Sequence, residues 1–290
     1  MKKFAPFAAL LAGLLSFSCQ SVANSVNSSL KTLGLSSSSS QATVAKAVDV
    51  VEDVAPDIKK ALEEITPEQE YYIGRAVGAT VFAQYKAYDK AALNLYLNKL
   101  GQSLALSSER PEIFGGYRFV ALDSQEINAF ATPSGLVMVS RGLIGITTSE
   151  DELAAVLAHE ISHITSKHGL KSIKSARFGQ AIGTLAKKGT ELVGEELGQV
   201  TGAFKDSIGD ITKTMISSGY SKSAEFDADF KAVKLLDVAG YDPRALERVL
   251  KAMEKKLDPK AKDFSKTHPK PADRINVLKK TLDALKVKAS

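Results

Sequence analysis

The chain is poor in cysteine, in histidine and in long apolar runs. One of its 290 residues is a cysteine, Cys19, so no disulfide can staple the fold from within. A folded domain must then be held by its core and by any metal it binds. The apolar run Phe4 to Phe17 is too short for a comfortable membrane span. No basic run is interleaved with aromatics and no nucleic-acid motif appears, so the net charge of +5 is not the footprint of a nucleic-acid partner. The Lys-rich stretch 251–280 reads most simply as solvated helix surface, with attraction to an anionic membrane as the alternative. No internal repeat is evident. What remains is ordinary globular composition, 44% hydrophobic and 24% charged. That suffices for one core of about 200–250 residues.

The N-terminus is a separate object. Met1-Lys2-Lys3 followed by the apolar run reads as a secretory signal peptide, 1–19. Leu15-Ser16-Phe17-Ser18 before Cys19 resembles a bacterial lipobox, except that Ser16 stands where Leu is usual. A lone thiol at that position points to a lipidated Cys19. Cleavage after Ser21-Val22-Ala23, which would leave a soluble periplasmic chain, is the alternative. Gln20 after the cysteine, rather than Asp, resembles the sorting signal of an outer-membrane lipoprotein. Residues 20–55 contain the unbroken run Ser36 to Ser40 and read as a flexible tether, leaving 56–290 as the folded domain.

Within that domain the patterning predicts mainly helices and a small sheet, an α+β fold. Thr66-Pro67-Glu68-Gln69 is a helix start with a capping box. A second helix is expected from about Lys90, with Leu93, Leu97, Leu100 and Leu104 on one stripe. Strands are expected over Tyr117–Leu122 and Leu136–Ser140, with a turn at Thr132-Pro133-Ser134-Gly135 between them. Helices near 222–239, 243–257 and 271–287 finish the chain. Glycines interrupt a helical pattern over 171–220, which reads as a lid-like helical insertion. Close helix packing is the alternative account of those glycines.

Only four histidines are present, and two of them fall in His159-Glu160-Ile161-Ser162-His163. Ser149 and Glu152 form an N-terminal capping box, and Leu153, Val156, Leu157, Ile161 and Ile164 recur at helical spacing. The motif therefore lies on a helix of roughly 150–167. Histidines four apart share one helical face, so their imidazoles can bind one Zn²⁺, with Glu160 beside them as a general base. A catalytic zinc usually takes a third protein ligand. The best candidate is Glu225, four before Asp229 on a later helix. Asp229 would then accept the outer N–H of a ligand histidine, His159 for choice. In this reading Phe226 and Phe230 pack inward and Asp227 points elsewhere. The alternative is that these acids decorate a solvated helix. His168 reads as structural, or as a spare ligand.

Five motifs in order carry a resemblance. They are Asn128-Ala129-Phe130-Ala131 with Gly135, the histidine motif, Glu225 to Asp229, Ala239 to Pro243, and Thr267-His268-Pro269 with Arg274. Together, over about 64–280, the chain resembles the zinc metallopeptidase family of HtpX, the CAAX prenyl proteases and the BepA-type periplasmic members, and within it the soluble, signal-bearing branch. Two positions depart from the family's pattern: Lys222 where Arg is common, and Asp227 where Glu is common.

The resemblance implies a zincin-like fold, with the active-site helix beside a short substrate-binding strand. It implies one Zn²⁺ on His159, His163 and Glu225, with Glu160 as catalytic base. Asn128 and Ala129 would hold substrate as an added strand, and His268 or Arg274 would stabilise the oxyanion. For His268 a helix-capping role is the alternative. The function implied is a zinc endopeptidase of the bacterial cell envelope, acting on exposed or misfolded proteins. An assembly factor or chaperone with little proteolysis would keep the same site.

Overall fold

Thr66 starts the first helix as expected. Its hydroxyl accepts from Gln69 N at 3.2 Å, and Gln69 Oε1 accepts from Thr66 N at 3.0 Å. Helix α1 (Pro67–Gln84) buries Gly74, Val77, Gly78 and Val81. Gly74 is required there, because a Cβ would run into the backbone N and side chain of Ser134. The turn that α1 meets includes Gly135 at φ +82, a conformation glycine adopts without strain. The computed structural model describes residues 64–175, 219–256 and 268–289. All of them belong to one of the chain's two compact units. The signal peptide with Cys19, the tether and residues 176–218 of the lid-like insertion lie outside the described residues.

Helix α2 (Ala91–Leu106) buries Leu97, Leu100 and Leu104. Three strands follow: β1 (Arg118–Leu122), β2 (Ala129–Ala131) and β3 (Leu136–Ser140). Patterning along the sequence predicts β1 and β3. The segment 129–131 becomes a strand because the Thr132–Gly135 turn folds it back on β3. The sheet order is β1-β3-β2, with β1 parallel and β2 antiparallel to β3.

Its two edges are treated differently. Side chains of α2 satisfy the outer side of β1: Asn94 Oδ1 accepts from Ala121 N at 2.9 Å, and Asn98 Nδ2 donates to Phe119 O at 2.6 Å. Gln102 Nε2 donates to Tyr117 O at 2.7 Å. That edge is closed to further pairing. On β2, Asn128 O and Thr132 N pair with β3, so the alternation directs the backbone groups of Ala129 and Ala131 to the other side. This edge faces the central helix.

After the short helix α3 (Arg141–Ile144) comes α4 (Glu150–Thr165), buried continuously from Glu152 to Ile164. A helix buried all round is a core element. Leu157 and Ile161 are fully buried, each contributing about 1.5–3 kcal/mol. Ser149 Oγ accepts from Glu152 N at 3.3 Å, as the capping box requires. The reciprocal half differs from expectation. Glu152 Oε2 accepts from Thr148 N at 2.7 Å, while Oε1 meets Arg248 Nε at 3.3 Å. The carboxylate is drawn one residue outward because it also ties α4 to a later helix. At the other end, Arg110 Nη1 donates to Ile164 O at 3.1 Å, satisfying one of the terminal carbonyls.

Residues 168–175 are helical. Helix α5 (Lys222–Ala239) ends at Gly240, φ 82, in a left-handed cap, and α6 (Ala245–Lys256) and α7 (Pro271–Ala289) complete the described chain. The buried face of α5 is Glu225, Ala228, Asp229, Ala232, Val233 and Leu236. Phe226 is only partly buried and Phe230 is exposed, with Lys234 Nζ 4.2 Å from its ring centre. The expectation that these aromatics pack inward is therefore corrected. Small residues let α5 approach α4 closely, and that approach carries two carboxylates inside. Among the described residues no helix is long and apolar enough to cross a membrane.

Candidate metal centre

Helix periodicity sets the two α4 histidines on one face, and α5 presents Glu225 opposite them. His159 Nε2 and His163 Nε2 are 3.1 Å apart. Glu225 Oε2 lies 3.6 Å from His159 Nε2, and Oε1 lies 3.4 Å from His163 Nε2. Ligand atoms bound tetrahedrally at about 2.0–2.2 Å from zinc lie about 3.3–3.6 Å from one another. The two histidine–carboxylate separations fit that figure, and the 3.1 Å between the two imidazoles is slightly shorter than it. Glu225 is fully buried, and its Oε1 accepts no hydrogen bond. A buried carboxylate with one oxygen facing each of two imidazole nitrogens is the donor set expected of a cation site. His159, Glu225 and His268 also offer atoms within 4.8 Å of one another. His268 Nδ1, however, sits 2.7 Å from Glu225 Oε2, a hydrogen-bond distance shorter than a ligand–ligand edge.

Outer partners orient each histidine. His159 Nδ1 is 2.9 Å from Asp229 Oδ1. Arg274 grips that carboxylate at both oxygens, Nη2 to Oδ1 at 2.6 Å and Nε to Oδ2 at 2.9 Å. Asp229 and Arg274 are each 2% exposed. Arg274, an oxyanion candidate from sequence, is thus committed to Asp229. His163 Nδ1 meets His168 Nδ1 at 3.0 Å, and Tyr220 stacks on the His163 ring at 4.3 Å. The Tyr220 hydroxyl donates to Ala131 O on the open edge of β2 at 3.2 Å. Asn128 is buried, and its side chain accepts from Ala129 N at 2.9 Å.

The electrostatics follow the geometry. Burial pushes the His163 imidazole down to about 3, outweighing Glu225, so it is neutral as a metal ligand must be. Burial and Arg274 also push His159 down, but the Asp229 and Glu225 carboxylates beside it win and carry it up to about 9. A metal ion and a proton compete for that Nε2 lone pair. Burial raises Asp229, yet Arg274 and His159 bring it down to about 2. Glu225 is held well below the usual range despite burial, chiefly by His268 and His163. Glu160 moves the other way, raised by burial. It lines a cavity with about 20 Å³ open to water centres, walled by His159, His268 and the apolar Leu143, Val156, Leu246 and Met253. That is room for a water molecule beside a carboxyl of raised proton affinity.

Sequence reasoning turned Asp227 away from the metal without naming the group it serves, overlooked Ser166 and Tyr220, and left His168 without a bonded partner. Asp227 sits two residues after Glu225, off the metal-facing side of α5. That offset was the available signal that it serves a different group.

A histidine pair, a carboxylate and a neighbouring glutamate arranged in this way define a metal-dependent hydrolase site. The chain belongs to peptidase family M48, a family of zinc metallopeptidases, whose description matches residues 91–282. It is similar to the beta-barrel assembly-enhancing protease of Yersinia pestis, 25% identical over 248 residues that cover 81% of this chain and 48% of that protein. It is also similar to the mitochondrial metalloendopeptidase OMA1 of Schizosaccharomyces pombe, 29% identical over 167 residues, covering 56% of this chain and 45% of that one. Metalloprotease LoiP of Escherichia coli is 25% identical over 161 residues, covering 56% of this chain and 61% of that protein. The chain spans about half the length of the assembly-enhancing proteases it matches.

Proposed function

We propose that this chain is a zinc-dependent endopeptidase of the bacterial cell envelope that hydrolyses peptide bonds of exposed or misfolded proteins. The observation that carries the reading is the convergence of His159, His163 and Glu225, their facing atoms 3.1–3.6 Å apart, with Glu160 beside them, in a chain of a metallopeptidase family. These three residues would hold one zinc ion, and His163 is preferred to His268 because the latter's distance to Glu225 is that of a hydrogen bond. When bound, the ion supplies Lewis acidity toward the peptide carbonyl and lowers the pKa of water. Glu160 takes a proton on its carboxylate from the attacking water and returns it to the leaving amine. Its raised pKa brings that exchange closer to neutral pH. Substrate would add as a strand along the outer edge of β2, taking the place of the Tyr220 hydroxyl at Ala131 O and of the Asn128 side chain at Ala129 N. His268 and Arg274 both line the cavity, and for the developing oxyanion His268 is the favoured donor because Arg274 is held at both oxygens of Asp229.

The names of relatives that couple protease to beta-barrel assembly support an envelope substrate. The sequence supports delivery through a signal peptide and attachment through a lipid on Cys19, with 20–55 as tether. Cys19→Ser should then release the chain from membranes; unchanged partitioning and mature mass would sink the anchor.

The decisive test is purified protein with unfolded casein, with and without a chelator. Zinc should restore cleavage after chelation. Glu160→Gln should keep about one zinc per chain and lose about 10²–10⁴-fold in rate. Wild-type cleavage by Glu160→Gln would overturn the assignment of the base. Zinc binding without cleavage by the wild type would favour the assembly-factor reading.

A further inference from the structure

We propose that His168 is a positioning residue for the metal centre, anchored by Asp227, and that the two lock the tautomer of His163. The inference rests on the reading that His159, His163 and Glu225 hold zinc. His163 turns its Nε2 toward Glu225 Oε1 at 3.4 Å and its Nδ1 toward His168 Nδ1 at 3.0 Å. The other nitrogen of His168, Nε2, lies 3.2 Å from Asp227 Oδ2. Ser166 Oγ donates to the same oxygen at 2.8 Å.

With His168 neutral, only one proton assignment satisfies this chain of groups. A carboxylate accepts, so the His168 proton must sit on Nε2, facing Asp227. His168 Nδ1 is then a lone pair, and His163 must donate to it from Nδ1. His163 Nε2 is left with its lone pair aimed at the metal centre. The reverse assignment sets a proton on His163 Nε2, aimed at His159 and Glu225, and a His168 lone pair against the Asp227 carboxylate. Asp227 therefore selects the metal-competent form of His163 through one intervening imidazole.

The backbone is shaped for this contact. Lys167 has φ 54, the one left-handed non-glycine among the described residues. It turns the chain directly after α4, between Lys167 N to Ile164 O at 3.0 Å and Lys171 N to Lys167 O at 2.9 Å. His168 thereby folds back under the last turn of α4, where it is 5% exposed. Asp227 and Ser166 come from elements 61 residues apart in sequence, so the arrangement is a product of the α4–α5 contact.

The test is zinc affinity by competition with a chromogenic chelator, together with the visible spectrum of the cobalt-loaded protein. His168→Phe keeps the ring shape and removes the acceptor. It should weaken zinc binding about 10–100-fold and change the cobalt bands. His168→Asn returns an acceptor oxygen near the Nδ1 position and should stay within about threefold of wild type. Asp227→Ala, at a side chain 43% exposed, should weaken binding in the same direction. Metal-free melting of each variant reports folding. Wild-type affinity in His168→Phe, or equal losses in His168→Phe and His168→Asn, would overturn the positioning role. A wild-type chain that binds no zinc, or His163→Ala that binds it normally, would instead bring down the metal-centre reading itself.

Discussion

His159 and His163 stand one helical turn apart, yet their outer nitrogens meet partners of opposite character. His159 meets a carboxylate directly, and that carboxylate is buried and clamped by Arg274. His163 meets a neutral imidazole, with the carboxylate one step further out and partly in solvent. The difference follows from depth. On the His159 side α7 covers the site, so a bare aspartate would be a buried charge, and it is stable there only with a bidentate guanidinium. On the His163 side the chain runs out to the surface, where water solvates Asp227 and no arginine is required. One side is an ion pair inside the core; the other is a relay to the surface.

The largest effect should come from breaking the buried pair. Arg274→Met leaves buried Asp229 with His159 as its one remaining partner and should cost about 3 kcal/mol in denaturant unfolding of the metal-free protein. Asp227→Ala, at the surface, should cost under about 1 kcal/mol in the same measurement. Equal losses would mean that the two sides are not energetically distinct.

Metal affinity sharpens the contrast. Asp229→Asn should weaken zinc about 10–100-fold, because the carboxylate touches a ligand histidine directly. Asp227→Asn should weaken it less, since the amide oxygen still accepts from His168. Saturating zinc at 100 times Kd should stabilise the wild type by about 2.7 kcal/mol, and chelation should remove that increment.

A smaller effect concerns the turn that delivers His168. Lys167→Gly relieves a left-handed φ and loosens the unfolded chain, two terms of about 1 kcal/mol with opposite sign. Stability should shift by less than about 1 kcal/mol, with zinc affinity unchanged. A large loss of affinity would show that the Lys167 side chain itself supports the site.

The smallest is a reference point away from the metal. Asp242 is held below the usual carboxylate range, against burial, by Arg248. A depressed carboxylate stabilises the fold above its unfolded pKa of about 3.9, and that contribution fades as pH falls through the folded value. Arg248→Gln should therefore flatten the loss of stability below about pH 4, by under about 0.5 kcal/mol after solvent screening. A steeper loss would sink it.

Much of this was readable in the residues. The histidine spacing, the Ser149 start of α4 and the small-residue pattern of α5 are local, and local periodicity dictates them. Glu225 and Asp229 could be singled out as an i,i+4 pair on the same ground. The inward packing of Phe226 and Phe230 was misjudged because they are the most hydrophobic residues at the start of α5. Ordinary patterning would bury them; the approach to α4 buries carboxylates instead. Strand β2 was legible through the family resemblance of Asn128 to Ala131 and not through patterning, because three residues carry no period to detect.

By itself the sequence determined which side chains share a helical face: His159 with His163, Glu225 with Asp229, each set by 3.6 residues per turn. Only the tertiary structure decided which faces meet. It brought Arg274 from α7 to Asp229 across 45 residues, and Asp227 from α5 to Ser166 and His168 beyond the end of α4. Such pairings depend on packing between elements distant in the chain, and no periodicity along the chain encodes a distance across it.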